Sequence, residues 1–257
     1  MYDVSSRWPE RLWVVRHGES AGNVAREQAT AAGLGRIAVD HRDVDVPLSA
    51  LGEEQSSALG RWYAALPESE RPEVVLTSPY IRARETAKLI CEEGGLTPGA
   101  PGFVIDERLR EKEFGILDRL TTVGIRDFHP DQAEFRRILG KFYHRPPGGE
   151  SWCDVILRLR SALDTLSLHH AGRRVLVVSH QVVVLCLRYL LEELTEEGIL
   201  EIDRAGDVAN CGVTEYRFDP NCGPNGALKL HRYNFTAPLE RAGAPVTSEP
   251  DAAVAAR

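Results

Sequence analysis

No two cysteines in this chain stand three positions apart, so the C-x-x-C pairs of zinc ribbons and redox sites are missing. The five that exist, at 91, 153, 186, 211 and 222, are an odd number and suggest no disulfide framework, so reduced thiols are expected. No apolar run approaches the roughly 20 residues that cross a bilayer. The opening MYDVSSRWPERL lacks the basic-then-apolar layout of a signal peptide, and the expectation is a soluble, cytoplasmic protein with no membrane partner. Positive charge is short too. The 31 Lys and Arg stand against 38 Asp and Glu, a net charge of −7, which argues against a nucleic-acid partner because phosphate backbones need a basic surface. There is no Walker-type G-K-[ST]; GLGRIA at 33–38 fits G-x-G-x-x-A but follows a helical stretch, not a strand, and so is no dinucleotide fingerprint. What is present is 257 residues with 43% hydrophobic content, enough to bury one large core.

Strand-like and helix-like runs alternate along the chain. LWVVRH (12–17) precedes a helix near 20–32 and another at 50–66; EVVLTS (73–78) precedes a helix at 80–93. FVIDERL (103–109), a helical insertion within 121–142, a helix at 152–168, RVLVVSH (174–180) and a helix at 182–194 follow. GVTEYRF and ALKLHRYNF, joined by DPNCGPNG, read as a hairpin of antiparallel edge strands. Such alternation predicts an α/β fold, a three-layer α/β/α sandwich with a mostly parallel central sheet and a helical lid insertion at about 116–148. One domain is expected over 1–240. The stretch ERAGAPVTSEPDAAVAAR has no apolar periodicity, and 241–257 reads as a disordered tail.

Three strand-like runs end alike. LWVV stops on Arg16 and His17 with Gly18 behind them, VVLTS leads into PYIRARETA, and VLVVS stops at His180. If the three are parallel neighbours, they deliver guanidinium and imidazole groups to one crevice outside the strands' carboxyl ends, where open α/β sheets bind ligands. Transfer of a phosphoryl group needs a nucleophile in line with the leaving oxygen and fixed positive donors around the other oxygens. Arginine supplies planar donors that keep their charge, and nearby arginines favour the neutral imidazole that can attack. The bland reading is a set of ordinary loop cations.

RHGES with Asn23 after it, TSPYIRARETA, RLREKEFG, PGGES and VSHQ, running in that order between residue 11 and about 218, resemble the histidine phosphatase superfamily, which includes the cofactor-dependent phosphoglycerate mutases. The resemblance makes His17 the nucleophile and gives the phosphoryl group to Arg16, Asn23, Arg82 and His180. Arg82, ahead of Ala83 at a helix start, falls on the family position; Arg84 is expected to face elsewhere. The family's proton donor falls on Glu111, with Glu107 and Glu113 close by in the same charge run, and it must hold its proton to serve as an acid. Glu150 and Ser151 read equally well as a helix cap. A closer resemblance is to the fructose-2,6-bisphosphatase branch: Arg137 and Lys141 four apart before GES would bind substrate, and Gln181 would add a phosphate contact. Leu185 stands where that branch has arginine, and Pro146 replaces one residue of its tyrosine-rich run, so a different small phosphorylated metabolite is expected. A basic segment carrying Arg136, Arg137, Lys141, His144 and Arg145 suggests a second anionic group on it, although a solvated basic face explains the same residues.

The function this implies is a metal-independent phosphomonoesterase without a cofactor, working through phosphohistidine on a small phosphorylated substrate, alone or as a homodimer. A cofactor-dependent phosphoglycerate mutase is the first alternative. A non-catalytic phosphate-binding or interaction module is the alternative of another class.

Overall fold

A computed structural model describes residues 7–96 and 102–250. Its strands are β1 (Arg11–Arg16), β2 (Val74–Thr77), β3 (Val104–Ile105), β4 (Arg174–Ser179), β5 (Val213–Asp219) and β6 (Ala227–Phe235). They form one sheet in the order β3-β2-β4-β1-β5-β6. The first four in that order run parallel, and the β5–β6 hairpin adds two antiparallel strands. The α-helices are α1 (Ala21–Ala31), α2 (Ala50–Ala64), α3 (Ile81–Gly94), α4 (Thr122–Phe128), α5 (Pro130–Tyr143), α6 (Trp152–His169), α7 (Gln181–Leu191), α8 (Glu196–Ala205) and α9 (Ala237–Ala242).

Period-two alternation in the central strands loads both faces of the sheet. Leu12 and Val14 of β1 and Val175 and Val177 of β4 pack with α6 and α7, whereas Trp13, Val15, Leu176 and Val178 pack with α2 and α3. Each such buried side chain contributes roughly 1.5–3 kcal/mol. The result is the three-layer α/β/α arrangement with a largely parallel sheet that the alternation implies.

Several boundaries differ from the sequence reading. The run at 103–109 keeps only two residues in the sheet before Glu107–Leu109 turn into a 3-10 helix. The insertion is two helices, because Pro130 starts a new one and His129 leaves the helical conformation; Gly140, at φ 76, then kinks α5. A strongly amphipathic helix, α8, follows α7 and was not foreseen. The reading of 241–257 as a disordered tail fails for 241–250. Ala244 is buried against the α2–α3 layer, and Pro245, Thr247 and Glu249 hydrogen-bond to Gln55, Asn210, Arg16 and Asn23. Residues 251–257 lie outside the described residues.

Candidate active site

The carboxyl ends of β2, β4 and β1 are neighbours, as the convergence argument requires. Arg16 closes β1 opposite Ser179 of β4, and the His17 N–H donates to the Ser179 carbonyl at 2.9 Å. Gly18 is required by close approach: a Cβ there would meet the Gly52 carbonyl oxygen at 2.4 Å. His180 is the N-cap of α7, directly after β4. Past β2, Tyr80 is the N-cap of α3, which puts Arg82 in that helix's first turn.

These local choices bury a cationic cluster. Arg16, His17 and His180 have no exposed surface and Arg82 has 1%, while Arg84, two residues on, is exposed. The His17 and His180 rings lie 5.1 Å apart. His17 Nδ1 sits 2.6 Å from the Gly18 carbonyl oxygen, and Arg82 Nε donates to His17 Nε2 at 3.2 Å. A carbonyl needs a donor and a guanidinium needs an acceptor, so the proton resides on Nδ1 and the lone pair on Nε2. His180 Nε2 lies 2.7 Å from Ser78 Oγ, and the Tyr80 ring packs on both His180 and the Arg82 guanidinium. Burial, with Asp43 and Glu113 nearby, pushes the Tyr80 phenol far up; it stays protonated and donates to Glu113 Oε1 at 3.0 Å.

The cluster's donors point at oxygens of the chain itself. Arg16 Nη2 and Asn23 Nδ2 both donate to the Glu249 carbonyl, at 2.5 and 2.9 Å. Arg82 donates to the Asp43 backbone carbonyl at 2.6 Å and to the Asp43 carboxylate at 3.2 Å. Two loops remote in sequence thus place oxygen atoms where a cationic cradle would receive those of a phosphate. Neither Asp43 nor Glu249 was singled out in the sequence, because nothing local marks an acidic loop as the partner of a distant arginine.

Glu111 is 1% exposed and lines a chamber of about 30 Å³ together with Lys112, Arg136, Lys141 and Gln181, with Pro250 closing it. Arg158 of α6 fixes the loop that carries Glu111, donating to the Arg108 and Glu111 carbonyls and pairing with Glu150. Glu150 also accepts from the Glu113 N–H and pairs with Arg110, while Ser151 caps α6 in a capping box with Asp154. The walls Arg136, Lys141 and Asp203 are shared with an open cavity of about 600 Å³ between α4, α5 and α8.

Two of the substrate residues read from the sequence behave otherwise. Arg137 is exposed on α5 and paired with Glu134, so its side chain takes no part in the chamber; Arg136, one residue earlier, is the one that lines it. Lys141 does line it but is committed to Asp203 at 2.5 Å. Gln181 reaches the chamber with its Nε2 donated to Asp207 at 2.8 Å, which removes the donor a phosphate contact would need. Lys112, overlooked because it sits inside a charge run, is 4% exposed, lies over the Phe114 ring, and is pushed down to about 8 by burial, with Arg136 adding to the shift. Among the described residues no group of three or more His, Cys, Asp or Glu is placed to hold a metal ion.

The sequence pattern of the histidine phosphatase superfamily (branch 1) matches residues 12–228, most of the chain. The chain belongs to that superfamily. It is accordingly an enzyme of the histidine phosphatase type. A protein named "Probable phosphoglycerate mutase GpmB" from Yersinia enterocolitica is 32% identical over 179 residues, covering 69% of this histidine phosphatase and 72% of the relative. Among solved structures, a mycobacterial glucosyl-3-phosphoglycerate phosphatase in complex with VO3 superposes with a TM-score of 0.66 at 25% identity, over 88% of this chain and 99% of the other. The alpha-ribazole phosphatase from Shigella flexneri shares the fold, with a TM-score of 0.65 at 22% identity over 88% of this chain and 97% of its own. The segment at 245–250 that Arg16 and Asn23 hold lies beyond the 12–228 match. No helix among the described residues is long and apolar enough to cross a membrane.

Proposed function

We propose that the protein hydrolyses a small phosphorylated metabolite bearing a second anionic group, by way of a phosphohistidine at position 17. The observation that carries this reading is the His17 Nε2 lone pair, 3.2 Å from Arg82 and beside Arg16, Asn23 and His180. In the first step Arg82 Nε shifts from Nε2 to a phosphoryl oxygen, Nε2 attacks phosphorus and the ester P–O bond breaks. Glu111 gives its proton to the leaving oxygen, and the Nδ1–H bond to the Gly18 carbonyl supports the imidazole as it gains positive charge. In the second step water attacks phosphorus, the P–N bond breaks, and the Glu111 carboxylate takes the water's proton. Arg16, Arg82, Asn23 and His180 hold the phosphoryl oxygens throughout, which requires Glu249 and Asp43 to release them. The charge is met by guanidinium groups, so the proposal includes no metal and no cofactor.

The second anion is assigned to Lys112 and Arg136, which flank the chamber beyond Glu111. In this reading α4 and α5 act as the lid over it, and the five free thiols fit a cytoplasmic setting. Mixing the purified enzyme with a panel of phosphoglycerates, sugar phosphates and nucleotides in EDTA should release phosphate, and acid quenching should trap an acid-labile phosphoenzyme that His17→Ala lacks. Unchanged turnover of p-nitrophenyl phosphate by His17→Ala would overturn the phosphohistidine route, and no turnover by the wild type on any of these esters would leave only a non-catalytic phosphate-binding module.

The mutase is favoured by the relatives' name. Rapid formation of 2-phosphoglycerate from 3-phosphoglycerate with a trace of 2,3-bisphosphoglycerate, with little free phosphate, decides for it.

A further inference from the structure

Gln181 opens α7 at the edge of the chamber, 4% exposed. Its Nε2 donates to Asp207 Oδ1 at 2.8 Å. An ionised carboxylate only accepts, so the amide is held with nitrogen toward Asp207, and the alternative assignment, oxygen against oxygen, is excluded by repulsion. That leaves Oε1 as the uncommitted end. It is fully buried and accepts no hydrogen bond from the described residues. A buried acceptor without a donor is a cost the fold carries unless a ligand meets it.

The surroundings say which ligand group that is. A phosphate or carboxylate has only acceptors to offer Oε1 at neutral pH, whereas a hydroxyl or N–H has the donor it lacks. The anions are provided for on the other walls: Lys112 and Arg136 line the same chamber, and neither side chain makes a hydrogen bond or salt bridge among the described residues. Lys141, by contrast, is taken by Asp203.

We infer that Gln181, turned by Asp207, selects substrates that carry a hydroxyl next to the phosphorylated carbon, by accepting that hydroxyl's hydrogen bond at Oε1. Gln181 is the specificity residue and Asp207 its positioning residue. The inference rests on the phosphomonoesterase reading above and narrows its substrate class to hydroxylated phosphomonoesters.

The test compares esters that carry the adjacent hydroxyl with counterparts that lack it: 3-phosphoglycerate against 3-phosphooxypropanoate, glycerol 1-phosphate against 3-hydroxypropyl phosphate, and glucose 1-phosphate against 2-deoxyglucose 1-phosphate. For at least one pair the wild type should prefer the hydroxylated member by roughly tenfold or more in kcat/KM. Gln181→Met, similar in shape but without the acceptor, should bring that ratio to within about twofold of unity, the ratio being independent of any general loss of rate. Asp207→Asn, which lets the amide turn either end to the chamber, should lower the same ratio mainly through KM. If no pair is discriminated by the wild type, or both variants keep its ratios, the inference is overturned. The phosphoenzyme trapped at His17 is a separate readout, so a failure of the phosphatase reading itself registers there and not in the ratios.

Discussion

At the scale of single residues, two side chains carry the clearest predictions. Arg82 touches the lone pair of His17 and is positioned by its place in the first turn of α3. Arg82→Ala should lower kcat/KM for p-nitrophenyl phosphate by at least roughly 10²-fold, corresponding to about 3 kcal/mol of charge stabilisation, with the fold intact by circular dichroism. Lys112 is pushed down to about 8 by burial, so the two sides of that value behave differently. Below pH 8 the ammonium is charged and can hold a second anion; above it the charge is lost. KM for a substrate with a second anionic group, such as 3-phosphoglycerate, should therefore rise as pH passes 8, while KM for p-nitrophenyl phosphate, which has only its phosphate, follows no such step. The same depression, from 10.5 to about 8, is a stability penalty on the order of 3 kcal/mol, fully present below pH 8 and gone above pH 10.5. Lys112→Met should thus melt higher at pH 7 and lose the pH step in KM, and a variant that melts lower refutes the assignment. The sequence marked Arg16, His17, Arg82 and His180 because each closes a strand or opens a helix, a local signature. Lys112 escaped, and Arg136 was legible only as one member of a basic segment, since a residue inside a charge run or on a basic helix shows its direction only after the loop and helix are placed.

At the scale of elements, the segment after α9 is the part to probe. It is held by Gln55, Asn210, Arg16 and Asn23 and covers the cradle. Ending the chain at Ala244 keeps the apolar anchor on the α2–α3 layer and removes the competing carbonyl. Such a variant should show KM for p-nitrophenyl phosphate lowered by roughly three- to tenfold, because the competent form no longer has to be drawn from a covered one. An unchanged KM would mean that the segment costs the substrate nothing. On the opposite side, Arg158 of α6 staples the Glu111 loop through two carbonyls and Glu150. Arg158→Ala leaves the half-buried Glu150 to Arg110 and removes the donor held by the Arg108 and Glu111 carbonyls, and it should destabilise the fold by roughly 1–3 kcal/mol, read as a lower urea midpoint. These elements differ in legibility for one reason. The strands and the long helices announce themselves by periodicity within a dozen residues, but the C-terminal segment has no pattern of its own and takes its order from partners such as Arg16, 233 positions away.

At the scale of the whole molecule, the two-sided core makes the sheet's centre the common support for the three strand ends that build the site. Leu176 of β4 is fully buried in the α2–α3 layer, and Leu176→Ala should cost roughly 2–5 kcal/mol, lowering the melting temperature by several degrees. The architecture was readable because strands ending in Arg-His, Thr-Ser and Ser-His are useful only when parallel and adjacent, and the sheet order supplies that adjacency. Closure of the site was not readable, since it joins Asp43 near one end of the chain to Glu249 near the other around a cradle built in between. Those two loops also fix how a guest is received. Each guanidinium already faces oxygen, so an arriving ester exchanges one oxygen partner for another and leaves the tally of hydrogen bonds nearly unchanged. Calorimetry should record little heat on capture, and the observed capture rate should level off with rising ligand at the frequency with which the molecule lets go of itself.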